Sequence, residues 1–148
     1  MGSEDGSGTG SLSREECFAL LATTSLGRLG ATSGALPIIL PVCFALHGDR
    51  LVFQTVPGTT LDVSVAGAVV AFESDSFGEQ GQAGWRVLLQ GVASEVRDQT
   101  VLEEFRSLGL PEWAAGEGNH RVFIMEPVLA DGRWFQDSSQ GPSDGRAQ

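Results

Sequence analysis

The chain has 148 residues, 41% of them hydrophobic, enough for one domain with its own core and no need of disulfide or metal staples. All nine cations are arginine against 19 acidic residues, a formal net charge of -10, which excludes a lysine nucleophile, a Schiff base or a P-loop and would repel a phosphate backbone. Tyrosine is absent, no apolar run approaches the roughly 18 residues of a membrane span, and the polar start lacks the regions of a signal peptide, so a cytoplasmic protein binding neither membrane nor nucleic acid is expected.

Residues 1–11 and 136–148 are rich in Gly, Ser and Asp and read as disordered tails, which leaves 12–135 as the domain. Ser13 followed by Glu16 makes a capping box, with Leu12 and Cys17 placed as the hydrophobic staple of a short helix that buries Cys17, Leu20 and Leu21. Strand signals follow. Leu26 to Ala31 leads through the Ser33-Gly34 turn into the apolar run Leu36 to Leu46, a hairpin. The nine consecutive apolar residues Ile38 to Leu46 do not alternate, so both faces of this strand need cover, one from the core and one from a second subunit or a bound ring system. Pro41 inside the run has no N–H for a ladder, which predicts a bulge or an unpaired edge and leaves backbone groups available to a ligand.

After the turn His47-Gly48-Asp49, Leu51 to Thr55 is a strand, and Pro57-Gly58 leads to a short helical stretch capped by Thr59 or Thr60. Ala68 to Glu73 is another strand. Trp85 to Val96 is a long one, with Trp85, Val87, Leu89 and Ala93 on one face and Arg86, Leu88, Gln90 and Val92 on the other. Asp98 caps a helix reaching Leu108, stopped by Gly109-Leu110-Pro111, and Arg121 to Glu126 and Val128 to Phe135 supply the last strands. Short helices among many strands joined by tight turns predict a mainly β, antiparallel barrel with peripheral helices.

No metal site or catalytic residue is legible. Cys17 and Cys43 lack CxxC spacing and read as buried free thiols, and neither His47 nor His120 has a partner at useful spacing. No Gly-x-Ser-x-Gly elbow occurs, so any chemistry would belong to a bound cofactor.

The segments Leu12-Ser-Arg-Glu-Glu-Cys17, Leu26-Gly-Arg-Leu29, Leu36-Pro37 with Pro41-Val42 and Phe44, and Leu51-Val-Phe-Gln-Thr55 with Gly58 and Leu61 follow one another in a telling order. They continue with Ala71-Phe72-Glu73, Gly84-Trp85, Gly91, and Pro111-Glu-Trp113 with Gly116 and His120. In that order they resemble the pyridoxamine 5'-phosphate oxidase-like, FMN-binding split β-barrel family, in its short actinobacterial form, over roughly Leu12 to Ile124. The resemblance implies a homodimer with two interface clefts, each able to hold FMN. Pro41, Val42 and Phe44 would then lie near the ring and Gln54, Thr55, Thr59 and Thr60 near the phosphate. Trp85 would wall the cleft, and Arg86 would lie across the interface.

The family's phosphate-holding segment usually reads Arg-Thr-x-x-Gly-Ser-Lys-Leu, whereas this chain has Gln54-Thr55-Val56-Pro57-Gly58-Thr59-Thr60-Leu61. The hydroxyls remain and both cations are gone; Arg86 in trans is one compensation. Each candidate also has a plain reading: the threonines as helix caps, Trp85 as core or interface, Arg86 as a solvated or paired cation. The functional expectation is a flavin-dependent oxidoreductase using FMN, with a deazaflavin-binding reductase as one alternative. The other is a dimeric, non-catalytic sensor or binding module for a small molecule that has lost the cofactor.

Overall fold

A computed structural model describes residues 8–110 and 120–136. The expected segment Pro111-Glu-Trp113 with Gly116, most of the C-terminal tail and residues 1–7 lie outside them. In chain order the elements are β1 (Thr9–Leu12), α1 (Arg14–Leu21), β2 (Leu26–Ser33), β3 (Leu36–His47), β4 (Arg50–Thr55) and α2 (Thr60–Val65). Then follow β5 (Val69–Phe77), a single 3-10 turn at Glu79–Gly81, β6 (Gly84–Glu95), α3 (Gln99–Arg106) and β7 (Arg121–Phe135).

Every strand pairing is antiparallel. The order β7-β4-β3-β2-β5-β6 closes on itself through β6–β7, giving a six-stranded barrel, and β1 pairs with the far end of β7. Thr9 to Ser11, assigned to a tail from sequence, therefore belong to a strand. The separate strands expected on either side of Pro127 are one strand: between Gln90 and Gly91 the β6–β7 register shifts, leaving Val128 as the extra residue of a bulge. Gly91 sits at that irregularity because a Cβ there would run into the Glu126 carbonyl.

The barrel is filled from alternating positions. Leu29, Leu51, Phe53, Phe72, Leu89, Phe123 and Met125 are fully buried; Phe53 stacks on Phe123 at 5.6 Å, and Phe44 meets Phe72 edge-on at 4.8 Å. Gly27 admits the Phe72 ring, which any side chain at 27 would displace. On β6, Val87, Leu89 and Ala93 point inward and Gln90 and Val92 outward, as the alternation predicts.

The helices cap and flank. Ser13 and Glu16 close both hydrogen bonds of the capping box, and the staple residues Leu12 and Cys17 pack around Gly132 of β7. α3, capped by Asp98, lays Leu102 and Phe105 on Val52 and Val122 outside the barrel, and α2 adds Leu61 and Val65 to the main core.

β3 is not covered on both faces within one chain. Ile39 opposes Gly30, Gly30 opposes Ala71, Ala71 opposes Gln90 and Gln90 opposes Leu129, so these five share the outer face of five adjacent strands. Ile39 is 73% exposed and Val128 75%, with Leu36, Val69 and Leu129 similarly bare.

Candidate functional site

The site begins where β3 and β4 part. Their ladder runs from His47 opposite Arg50 to Phe44 opposite Phe53 and stops, so beyond it the edge of β3 turned away from β2 carries no strand. Pro41 keeps its place opposite Arg28 with no bulge, so of the two expectations for this proline the unpaired edge is the one seen. The gap is an open cleft of about 400 Å³, walled by Leu40, Pro41 and Val42 on one side and by Gln54 to Val56 and Thr59 to Leu61 on the other.

Six of the nine residues singled out from sequence meet here: Pro41, Val42, Gln54, Thr55, Thr59 and Thr60. Three do not. Phe44 is buried in the core against Phe72, because it is still paired with Phe53 in the β3–β4 ladder and so lies on the closed side of the split. Trp85 and Arg86 start β6, opposite Trp134 and Arg133 of β7, away from the cleft of their own chain. Arg86 Nη1 donates to Asp131 Oδ2 at 3.3 Å, so its charge already has an acidic partner in the same chain.

Sequence reading missed the residue that organises the turn. Asp62 is 2% exposed; its Oδ1 accepts from the Thr55 hydroxyl at 2.8 Å and its Oδ2 from the Gly58 amide at 2.9 Å. Thr59 is the N-cap of α2: its Oγ accepts from the Asp62 amide at 3.3 Å and donates to the Val56 carbonyl at 2.7 Å. Gly58 has a positive φ of 82°, which a side chain would strain. Arg121, opposite Thr55 on β7, brings Nη1 to 3.7 Å from Asp62 Oδ2, an ion pair with a buried acid. The spacing Thr59-x-x-Asp62, an acid three residues past a cap, was the available signal.

Elsewhere, Arg28 Nη1 lies 2.9 Å from Glu73 and 3.4 Å from Asp75 on the outer face. Burial and then Asp75 push the Glu73 carboxyl up to about 7, outweighing Arg28. Burial pushes both cysteine thiols up, which leaves them unreactive. His47 pairs with Glu104 at 2.7 Å and rests edge-on against Phe105. Among the described residues no cluster of His, Cys, Asp and Glu is arranged to hold a metal ion, and no helix is long and apolar enough to cross a membrane.

The cleft fits one part of a flavin and not another. Apolar walls and an unpaired strand edge suit a planar ring with polar atoms on its rim. At the turn, the Thr55 and Thr59 hydroxyls and the Gly58 amide already serve internal acceptors, and among the described residues no cation lines the cleft, so a terminal phosphate finds a poor fit.

Comparison with known proteins agrees with this architecture. Rv0080, an uncharacterised protein of Mycobacterium tuberculosis, is 32% identical over 136 residues, 88% of each chain. The structure of a FAD-binding protein from Mycobacterium smegmatis is 30% identical with a TM-score of 0.73, covering 85% of this chain and 97% of its own. A FAD-binding protein from Mesorhizobium loti shares the fold at 21% identity and a TM-score of 0.68, covering 87% of this chain and 98% of its own. The sequence pattern described as pyridoxamine 5'-phosphate oxidase matches residues 13–133. With most of its length inside that match, and a closed antiparallel barrel split at β3 and β4, the chain belongs to the pyridoxamine 5'-phosphate oxidase family.

Proposed function

We propose that this protein is a homodimeric flavin-binding protein of the oxidoreductase type, holding its flavin in the cleft between β3 and β4. The observation that carries the reading is the split itself. An unpaired strand edge at Pro41 faces the turn Gln54 to Thr60 across an apolar gap, in a chain 30% identical to a FAD-binding protein. When bound, a flavin supplies hydride or electron transfer. The chain's own part is to hold the ring against Leu40, Pro41 and Val42 and to keep bulk water from it.

The second subunit is supported by the exposed apolar side chains Leu36, Ile39, Val69, Val128 and Leu129 on this outer face, since such a group on a chain of net charge -10 calls for cover. A second reading, a dimeric binding module without a cofactor, is favoured by the absence, among the described residues, of any cation lining the cleft.

The test is direct. Protein purified with bound flavin, or taking up added flavin with a shifted absorbance spectrum, supports the first reading. A colourless protein indifferent to riboflavin, FMN, FAD and deazaflavin removes it in favour of the second.

A further inference from the structure

We infer that the cleft is blind to phosphate: it takes a flavin through its ring system and draws no affinity from a terminal phosphate group. The inference rests on the flavin reading above and concerns which flavin the site prefers.

A phosphate monoester is close to a dianion, and desolvating it needs charge-assisted donors. The donors of the turn next to the cleft can be counted. The Thr55 hydroxyl proton goes to Asp62 Oδ1 at 2.8 Å and the Gly58 N–H to Asp62 Oδ2 at 2.9 Å. The Thr59 hydroxyl proton and the Thr59 N–H both go to the Val56 carbonyl, at 2.7 and 3.2 Å. What remains at the cleft among the described residues is neutral: the Gln54 amide, the Thr60 hydroxyl and backbone N–H groups.

An anion is already present in this segment, because the Asp62 carboxylate holds the turn from inside the protein. Arg121, the cation opposite Thr55, stands 3.7 Å from Asp62, so the pair brings no net charge to the turn. The other guanidinium considered for the task, Arg86, is paired with Asp131. An approaching phosphate dianion therefore meets neutral donors in the field of a chain whose net charge is -10. Riboflavin, which carries no phosphate, suits such a site better than FMN.

The experiment is a pair of titrations of the full chain with riboflavin and with FMN, read by quenching of flavin fluorescence, at about 0.02 and about 0.5 M salt. FMN is expected to bind no tighter than riboflavin and to tighten as salt rises, because screening removes repulsion. Two charge-assisted contacts to phosphate would instead favour FMN by about 100-fold. Thr60→Lys, which puts an ammonium on the exposed first residue of α2, is expected to tighten FMN about tenfold relative to riboflavin.

FMN binding more than about threefold tighter than riboflavin in the unaltered protein, with affinity that falls as salt rises, overturns the inference. So does a Thr60→Lys protein in which FMN gains nothing over riboflavin. If neither flavin binds at all, the flavin reading itself fails, an outcome distinct from both, and the preference fails with it.

Discussion

Replacing Asp62 with Asn tests whether this carboxylate holds the turn of the cleft. The wild-type side chain accepts from two donors on two oxygens, the Thr55 hydroxyl and the Gly58 amide, while 2% exposed. An amide offers one acceptor oxygen, so one buried donor loses its partner at about 1–3 kcal/mol. Loss of the ion pair with half-exposed Arg121 adds at most about 1 kcal/mol. The sum, about 1–4 kcal/mol, should appear in urea unfolding as a lower midpoint at unchanged slope. Thr55→Val, which removes one of the two donors, should cost less in the Asp62→Asn background than alone, by about 1 kcal/mol. An Asp62→Asn protein within about 0.5 kcal/mol of wild type, or strict additivity with Thr55→Val, would refute the reasoning. The turn would then be held by its backbone, and its hydroxyls would be available to a ligand.

Three further outcomes follow from the packing and the charges. Gly132→Ala puts a Cβ onto Cys17 Sγ and 3.0 Å from Leu12 Cβ, so it should destabilise by about 2 kcal/mol or more. Adding Cys17→Ala should recover part of that loss, and additive effects would contradict the contact. Ile39→Glu, at the β3 end of the exposed face, should convert a dimer to monomers in light scattering; a wild-type chain that is already monomeric at micromolar concentration would remove that face as a subunit contact. Glu73 binds its proton more tightly when folded, with its carboxyl raised from 4.5 to about 7. Its contribution to stability is thus fully present below 4.5 and lost as pH rises through about 7. Glu73→Gln should flatten that slope, by about 1–2 kcal/mol once the 29% exposure of the side chain is allowed for.

What was legible in the sequence was local. The caps Ser13 and Asp98 form as expected, and of Thr59 and Thr60 it is Thr59 that caps α2, because a cap is decided by residues three or four positions apart. Two features of the cleft were also readable, since Pro41 has no N–H to give a partner on its free edge and Pro57-Gly58 favours a turn. What was missed depends on register between distant strands. Nothing near Thr9 announces a strand; it exists because β7 offers Arg133 to Phe135 as partners. Pro127 suggested a break, yet a bulge absorbs it inside one continuous β7. Arg121 meets Asp62 only because β4 and β7 pair with Thr55 opposite Arg121. Trp85 and Arg86 were placed by resemblance, and within one chain their surroundings are β5 and β7.

β7 bonds to β1, β4 and β6, and so comes after every strand it must join. While a ribosome is still making residues 121–135, β4 and β6 each have an open edge that no nearby segment can fill. Closing the ring requires contacts that span most of the chain, an order of events that makes folding slow and leaves its intermediates sticky. A chain cut short before Arg121 would be a curled open sheet, with every reason to pair with its neighbours instead of with itself.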